Sequence, residues 1–184
     1  IVTSFIGKGG GLSAEHYVKT VDLYLKDILF TFGVTVFNTL LALTLAICFS
    51  VYLRLSDSKI SRFLGSIYKL GIFIPFVVVS QMMRSFLAPH GLLNLVLAKA
   101  GIIDLDQPLQ LFNFYGLSFG FVWKLAPFAV LIVYGGFQMI DNSYLEAARS
   151  TGAGLVRVVV RILIPMNKAS IMVAFVLVYA QIVS

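Results

Sequence analysis

Charge is scarce in this chain. Asp, Glu, Lys and Arg make up only 12% of its 184 residues and hydrophobic residues 59%, whereas soluble domains carry about 25% charged residues, so a water-soluble domain is excluded and an integral membrane protein is expected. There is one cysteine, Cys48, inside an apolar run, which rules out an internal disulfide and reads as a small packed hydrophobe. Of the two histidines, His16 has no second His, Cys or carboxylate at a ligand spacing near it, so no metal site is expected. Also missing are a Walker-type glycine loop, paired carboxylates inside an apolar run and a Ser/His/Asp arrangement. Hence no catalytic residue and no cofactor is expected on this chain. No basic cluster of 5–8 residues occurs, so the net charge of +6 reads as loop charge rather than as a nucleic-acid footprint. No internal repeat is visible.

What the chain does have is long apolar segments. The fold class expected is all-α integral membrane, a polytopic helical bundle, with spans at about 28–53, 68–88, 111–140 and 165–184 and a polar loop at 141–164. Residues 1–27 form a polar segment of their own: a glycine cluster at Gly7, Gly9, Gly10 and Gly11, then Ser13-Ala14-Glu15-His16 capping a short helix with an apolar stripe of Tyr17, Val18, Val21 and Leu25. A basic loop around Arg54, Lys59 and Arg62 follows the first span, Pro75 kinks the second, and Gly91 to Ala100 reads as a short amphipathic helix. Lys and Arg sort by side. Arg54, Lys59, Arg62, Arg149, Arg157 and Arg161, with Lys69 and Lys168 at span edges, outnumber Lys8, Lys19, Lys26 and Lys99 on the other side, which puts the 141–164 loop in the cytoplasm and residues 1–27 and 89–110 outside.

The loop itself is the most informative stretch. Ser143-Tyr144-Leu145-Glu146 has the spacing of a capping box, with the Ser143 hydroxyl accepting from Glu146 N–H and the carboxylate reaching back. Ala147 and Ala148 favour helix and allow close approach, Gly152 and Gly154 are suited to the positive φ of a helix end, and a second short helix runs from Leu155 to about Leu163 with Arg157 and Arg161 one turn apart. Pro165 suits the first turn of the last span, with Asn167 and Lys168 beside it. Elsewhere, Arg84 and Lys124 are the charges deepest in apolar segments, and with Trp123, Gln81 and Asn38 they are candidates to line a solute path. Asn38 is equally suited to an interhelical hydrogen bond, and Lys124 to a polar contact with Gln81, Asn38 or a partner.

Glu146, Ala147 and Ala148, then Gly152, then Ile162 and Pro165 reproduce the spacing of the EAA loop, and the chain resembles the membrane-spanning permease subunits of binding-protein-dependent ABC importers. Ile164 stands where that family usually has Leu. Asn38-Thr39-Leu40 is similar to this family and Gly91-Leu92-Leu93-Asn94 to its carbohydrate and polyamine branches alike, while Thr151 replaces the Asp that often precedes the motif glycine in carbohydrate permeases. The resemblance implies a multi-pass protein of a prokaryotic inner membrane that forms a solute pathway with a second permease subunit, receives solute from an extracytoplasmic solute-binding protein, and docks ABC ATPase subunits that carry ATP and Mg. It implies an ATPase-coupling loop of Ser143, Glu146, Ala147, Ala148, Gly152, Gly154, Ile162 and Pro165, and a carbohydrate or polyamine as solute. It also implies six spans, so one before Ile1 and one after Ser184 are expected. The other reading that the residues allow is an ATP-independent secondary transporter or a structural subunit of another membrane complex.

Overall fold

Between Asp27 and Arg54 no charge and no proline interrupts the chain, and the result is one long helix. The computed structural model describes residues 15–183, with side chains from Leu23 onward; the glycine cluster, the Ser13 cap and the Tyr17, Val18 and Val21 stripe lie outside the described residues or side chains. Helix α1 spans Glu15–Leu55 without a break, so the short helix expected before the first span is instead its first turns: at 15–27 the residues are good enough helix formers that nothing ends the hydrogen-bond ladder. Leu23–Leu55 is apolar and long enough to cross a membrane, as is α5, Phe114–Gln138. Among the described residues there is no strand.

The other elements are broken. The stretch expected as a basic loop folds into α2 (Lys59–Ile67), whose N-cap Ser58 accepts from Ser61 N–H at 3.0 Å. A 3-10 segment, Tyr68–Phe73, continues it. At Ile74–Pro75 the chain then turns by 103° into α3 (Phe76–Leu87) and the following α4 (Leu92–Lys99). Pro75 therefore separates two helices rather than kinking one, because it has no N–H to carry the ladder forward and its ring forces Ile74 into an extended conformation, ψ 120°. The connection 88–113 is held by fully buried Asn94. Its amide donates to Ala88 O and Leu109 O, and its carbonyl accepts from Leu109 N–H.

After α5 come α6 (Asn142–Ser150), α7 (Leu155–Val158), a π turn over Val159–Leu163, α8 (Ile164–Met166) and α9 (Lys168–Val183). Pro165 stands at the start of α8, two residues before the break. The helix from Leu155 passes through this proline, and the 73° break falls at Asn167. The proline ring clashes with the carbonyl four residues back, and the ladder loosens just upstream, where Ile164 N–H bonds Val159 O, five residues away.

α1 packs on α5 and α9 through a stripe at three- to four-residue spacing: Val34, Thr35, Asn38, Thr39, Ala42, Ala46, Ser50 and Leu53 are all buried. Most are small, which is what lets helix backbones approach when lipid supplies no hydrophobic drive. Thr35, Asn38 and Thr39 donate to the carbonyls of Thr31, Val34 and Thr35 in their own helix, at 2.8 Å each. One core, with Leu43, Val133, Phe137, Ile140, Leu145, Val158, Leu163 and Ala174, joins the spans to α6 and α7.

Candidate functional site

α6 is fixed at both ends by local sequence. Its N-cap is Asp141, not Ser143: the Asp141 carboxylate accepts from Ser143 N–H at 2.8 Å, and Ser143 sits exposed inside the first turn. Asp ranks with Ser as an N-cap and adds a charge favourable to the helix N-terminus. It also lies between Ile140 and Leu145, buried residues of one core at the two positions of a hydrophobic staple. Those two anchors place Asp141 where the helix must start. The Ser143 amide holds the Asp141 carboxyl below its ordinary range.

The other end is a Schellman turn. Gly152 N–H bonds Arg149 O at 2.9 Å and Ala153 N–H bonds Ala148 O at 3.0 Å, with Gly152 at φ +73° as expected. Gly154 does not share that conformation. At φ −66° and ψ 158° it is the N-cap of α7, where its lack of a side chain is not required by backbone sterics. Leu145, Ala148 and Ala153 turn inward to the core, while Tyr144, Glu146, Ala147 and Arg149 face outward. Ile162 is half-buried and Pro165 exposed. Beside α6, Gly152, Gly154, Leu155, Val156, Arg157, Val160 and Arg161 line an open groove of about 640 Å³. Leu155 and Val156 are 66% and 78% exposed there, an apolar surface on a polar loop.

Two tertiary contacts tie this loop to the spans. Arg54, at the end of α1, donates to Phe137 O at 3.0 Å, Ile140 O at 2.8 Å and Asn142 Oδ1 at 2.6 Å. Asn167, at the break before α9, donates to Val133 O at 2.9 Å. It lies so close to α5 that a Cβ on Gly136 would collide with Asn167 Oδ1 and Ser170 Oγ.

The solute-path candidates do not form one cluster. Gln81 and Trp123 line a common groove of about 600 Å³ with Met82, Met83, Phe86 and Phe119. Arg84 is exposed on the same helix as Gln81. Asn38 is instead fully buried in the α1 interface, with its amide on Val34 O rather than across to another helix. Lys124 meets none of Gln81, Asn38 or Trp123: its ammonium donates to Ile74 O at 2.5 Å and to Gly71 O and Ile72 O at 3.4 Å. The break at Ile74–Pro75 interrupts the ladder, and the half-buried carbonyls at its edge accept from the nearest cation.

Asp141, Arg54, Asn142 and Asn167 are the residues that sequence reasoning passed over. Asp141 had a signal, an N-cap residue directly after an apolar run; Arg54 and Asn142 had none, since their contact joins positions 88 apart.

Residues 38–184 match the family described as binding-protein-dependent transport system inner membrane component. Relatives include the spermidine/putrescine transport system permease protein PotB of Salmonella typhimurium (strain SL1344), 29% identical over 89% of this chain and 57% of the relative. The xylose/arabinose import permease protein XacH of Haloferax volcanii is 27% identical over 90% and 51%. This chain thus spans little more than half the length of these relatives. Among solved structures, a chain of the bacterial alginate ABC transporter in complex with an alginate pentasaccharide-bound periplasmic protein shares the fold, with a TM-score of 0.70 at 21% identity over 80% of this chain and 52% of that one.

Proposed function

Because the chain belongs to the family of binding-protein-dependent transport system inner membrane components, we propose that it is the permease subunit of an ABC importer and that residues 141–164 are its coupling loop to a separate ATPase subunit. The observation that carries this reading is the two-faced α6: a helix capped at both ends, anchored to the spans through Leu145 and Ala148, and presenting Tyr144, Glu146 and Ala147 outward beside an apolar groove. A lever needs a rigid body and a free face. The partners are two ATPase subunits that carry ATP and Mg, a second permease subunit and an extracytoplasmic solute-binding protein, with 54–66 and 141–164 on the cytoplasmic side. The solute is a small polar one, a sugar or a polyamine, the classes named for the relatives. On this chain Gln81, Trp123 and Arg84 are the residues placed to meet it, since Lys124 and Asn38 are committed to backbone carbonyls.

The experiment is purification of the tagged full-length protein from its native membrane, followed by identification of what comes with it. A stoichiometric ATP-binding subunit whose retention is lowered by substitutions at Glu146 or Ala147 is the expected result. A permease that transports in vesicles without such a subunit, as an ATP-independent transporter does, would overturn the reading.

A further inference from the structure

Arg54 stands outside the loop motif and outside the solute groove, yet it makes the contact that joins the loop helix to the two long spans. Helix α5 ends at Gln138, and its last carbonyls turn toward the end of α1. The Arg54 guanidinium takes Phe137 O through Nε and Ile140 O through Nη2, and the same Nη2 reaches the Asn142 side chain. Asn142 is the first residue of α6. One planar group therefore holds the end of α1, the end of α5 and the start of the loop helix together, and the fork geometry is something a lysine cannot reproduce. A positive charge on helix-terminal carbonyls is favourable in itself. That alone would need only Phe137 and Ile140. The bond to Asn142 is the part that reaches into the lever.

We propose that Arg54 is a positioning residue for coupling: through Asn142 it locks α6 to α1 and α5, so that displacement of the loop helix moves the two long spans instead of bending the 139–142 turn. This rests on the coupling-loop reading above. Without the strut, α6 would still be capped by Asp141 and stapled by Ile140 and Leu145, but its N-terminal turn would move against α1.

The test uses the complete transporter, with its ATPase and binding protein, in proteoliposomes, and compares Arg54→Gln, Asn142→Ala and the double variant. The readout is solute transported per ATP hydrolysed in assembled complexes, a ratio that a merely stabilising contact does not change. Each single variant is expected to lower the ratio about five- to tenfold, and the double variant no further than the worse single, because both remove one link. Arg54→Lys is expected to assemble but to show the same lowered ratio. If Arg54→Gln fails to assemble, Asn142→Ala decides alone, since it leaves the α5 carbonyls paired with Arg54. An unchanged ratio in Asn142→Ala, or losses that multiply in the double variant, would overturn the strut. Absence of any ATPase in the complex, by contrast, would sink the coupling-loop reading and not this contact in particular.

Discussion

Two helix ends in this protein are closed by a cation from another helix. Arg54 closes the end of α5 and Lys124 closes the 3-10 segment Tyr68–Phe73. Around Arg54 the surroundings are mixed: Phe137 and Ile140 are buried, while Asp141, Asn142 and Met139 are exposed. Around Lys124 they are apolar and tight, with Phe76 against Phe121 at 6.3 Å and Gly71 so near Pro127 that a Cβ would stand 3.1 Å from its ring. At the first end the guanidinium also reaches a side chain of the loop helix, Asn142 Oδ1. At the second the ammonium meets backbone carbonyls. The first contact therefore links the two long spans to the loop helix, and the second closes a helix end without reaching the loop.

The sharpest way to break this contrast is Lys124→Met. It keeps chain length and removes the donor to Ile74 O, and with it the longer contacts to Gly71 O and Ile72 O. A hydrogen bond from a charged donor contributes about 1.5–3 kcal/mol. Lys124→Met is therefore expected to lower the thermal stability and membrane level of the protein while leaving transport per ATP unchanged, measured by melting of the detergent-solubilised complex and by the transport ratio. A normal melting temperature with altered solute preference would return Lys124 to the solute path.

A pair of glycines sharpens it next. Gly152 and Gly101 both have positive φ, +73° and +71°, and both have open space where a side chain would go. Valine at either site meets the same backbone cost of about 1–2 kcal/mol. The two variants should therefore lose similar stability. Only Gly152→Val, which redirects α7 from the Schellman turn, is expected to lower transport per ATP; equal coupling defects at both sites would mean that the loop end has no special role.

The smallest effects concern the start of α6. Asp141→Ala should speed hydrogen exchange at the Ser143 and Tyr144 amides, while Ser143→Ala leaves them unchanged, since the Ser143 side chain does not cap the helix. Because the Asp141 carboxyl is held below its ordinary range, its capping contribution is fully present above the unfolded-state pKa and fades only as pH falls through the lower folded value. Protection at Ser143, the slowing relative to an unstructured peptide at the same pH, should then persist at neutral pH and fall on acidification in the wild type, with no such fall in Asp141→Asn. Faster exchange in Ser143→Ala would reinstate the capping box.

Some of this was legible from residues alone. The apolar run after Asp27 had to be helix across a bilayer, because no water is present to satisfy its backbone in any other open form. Gly152 had to turn the chain, because left-handed φ is costly for any residue with a Cβ. The run Glu146-Ala147-Ala148 with Gly152 and Pro165 at their spacings was enough to indicate the family, which the match over residues 38–184 bears out. These are matters of local backbone sterics and hydropathy, and neighbours along the chain determine them.

What residues alone did not decide is which of two adequate partners each polar group takes. Asp141 and Ser143 are both N-cap residues, and the burial of Ile140 and Leu145 in a core built from four other helices chose between them. Pro165 permits a helix start, but Asn167, drawn to Val133 O across Gly136, is where the span breaks. Lys124 and Arg54 are long flexible cations whose destinations lie 50–53 and 83–88 residues away. A side chain of that reach goes to whichever unpaired carbonyls the packing brings near it, and only the tertiary arrangement of the helices says which those are.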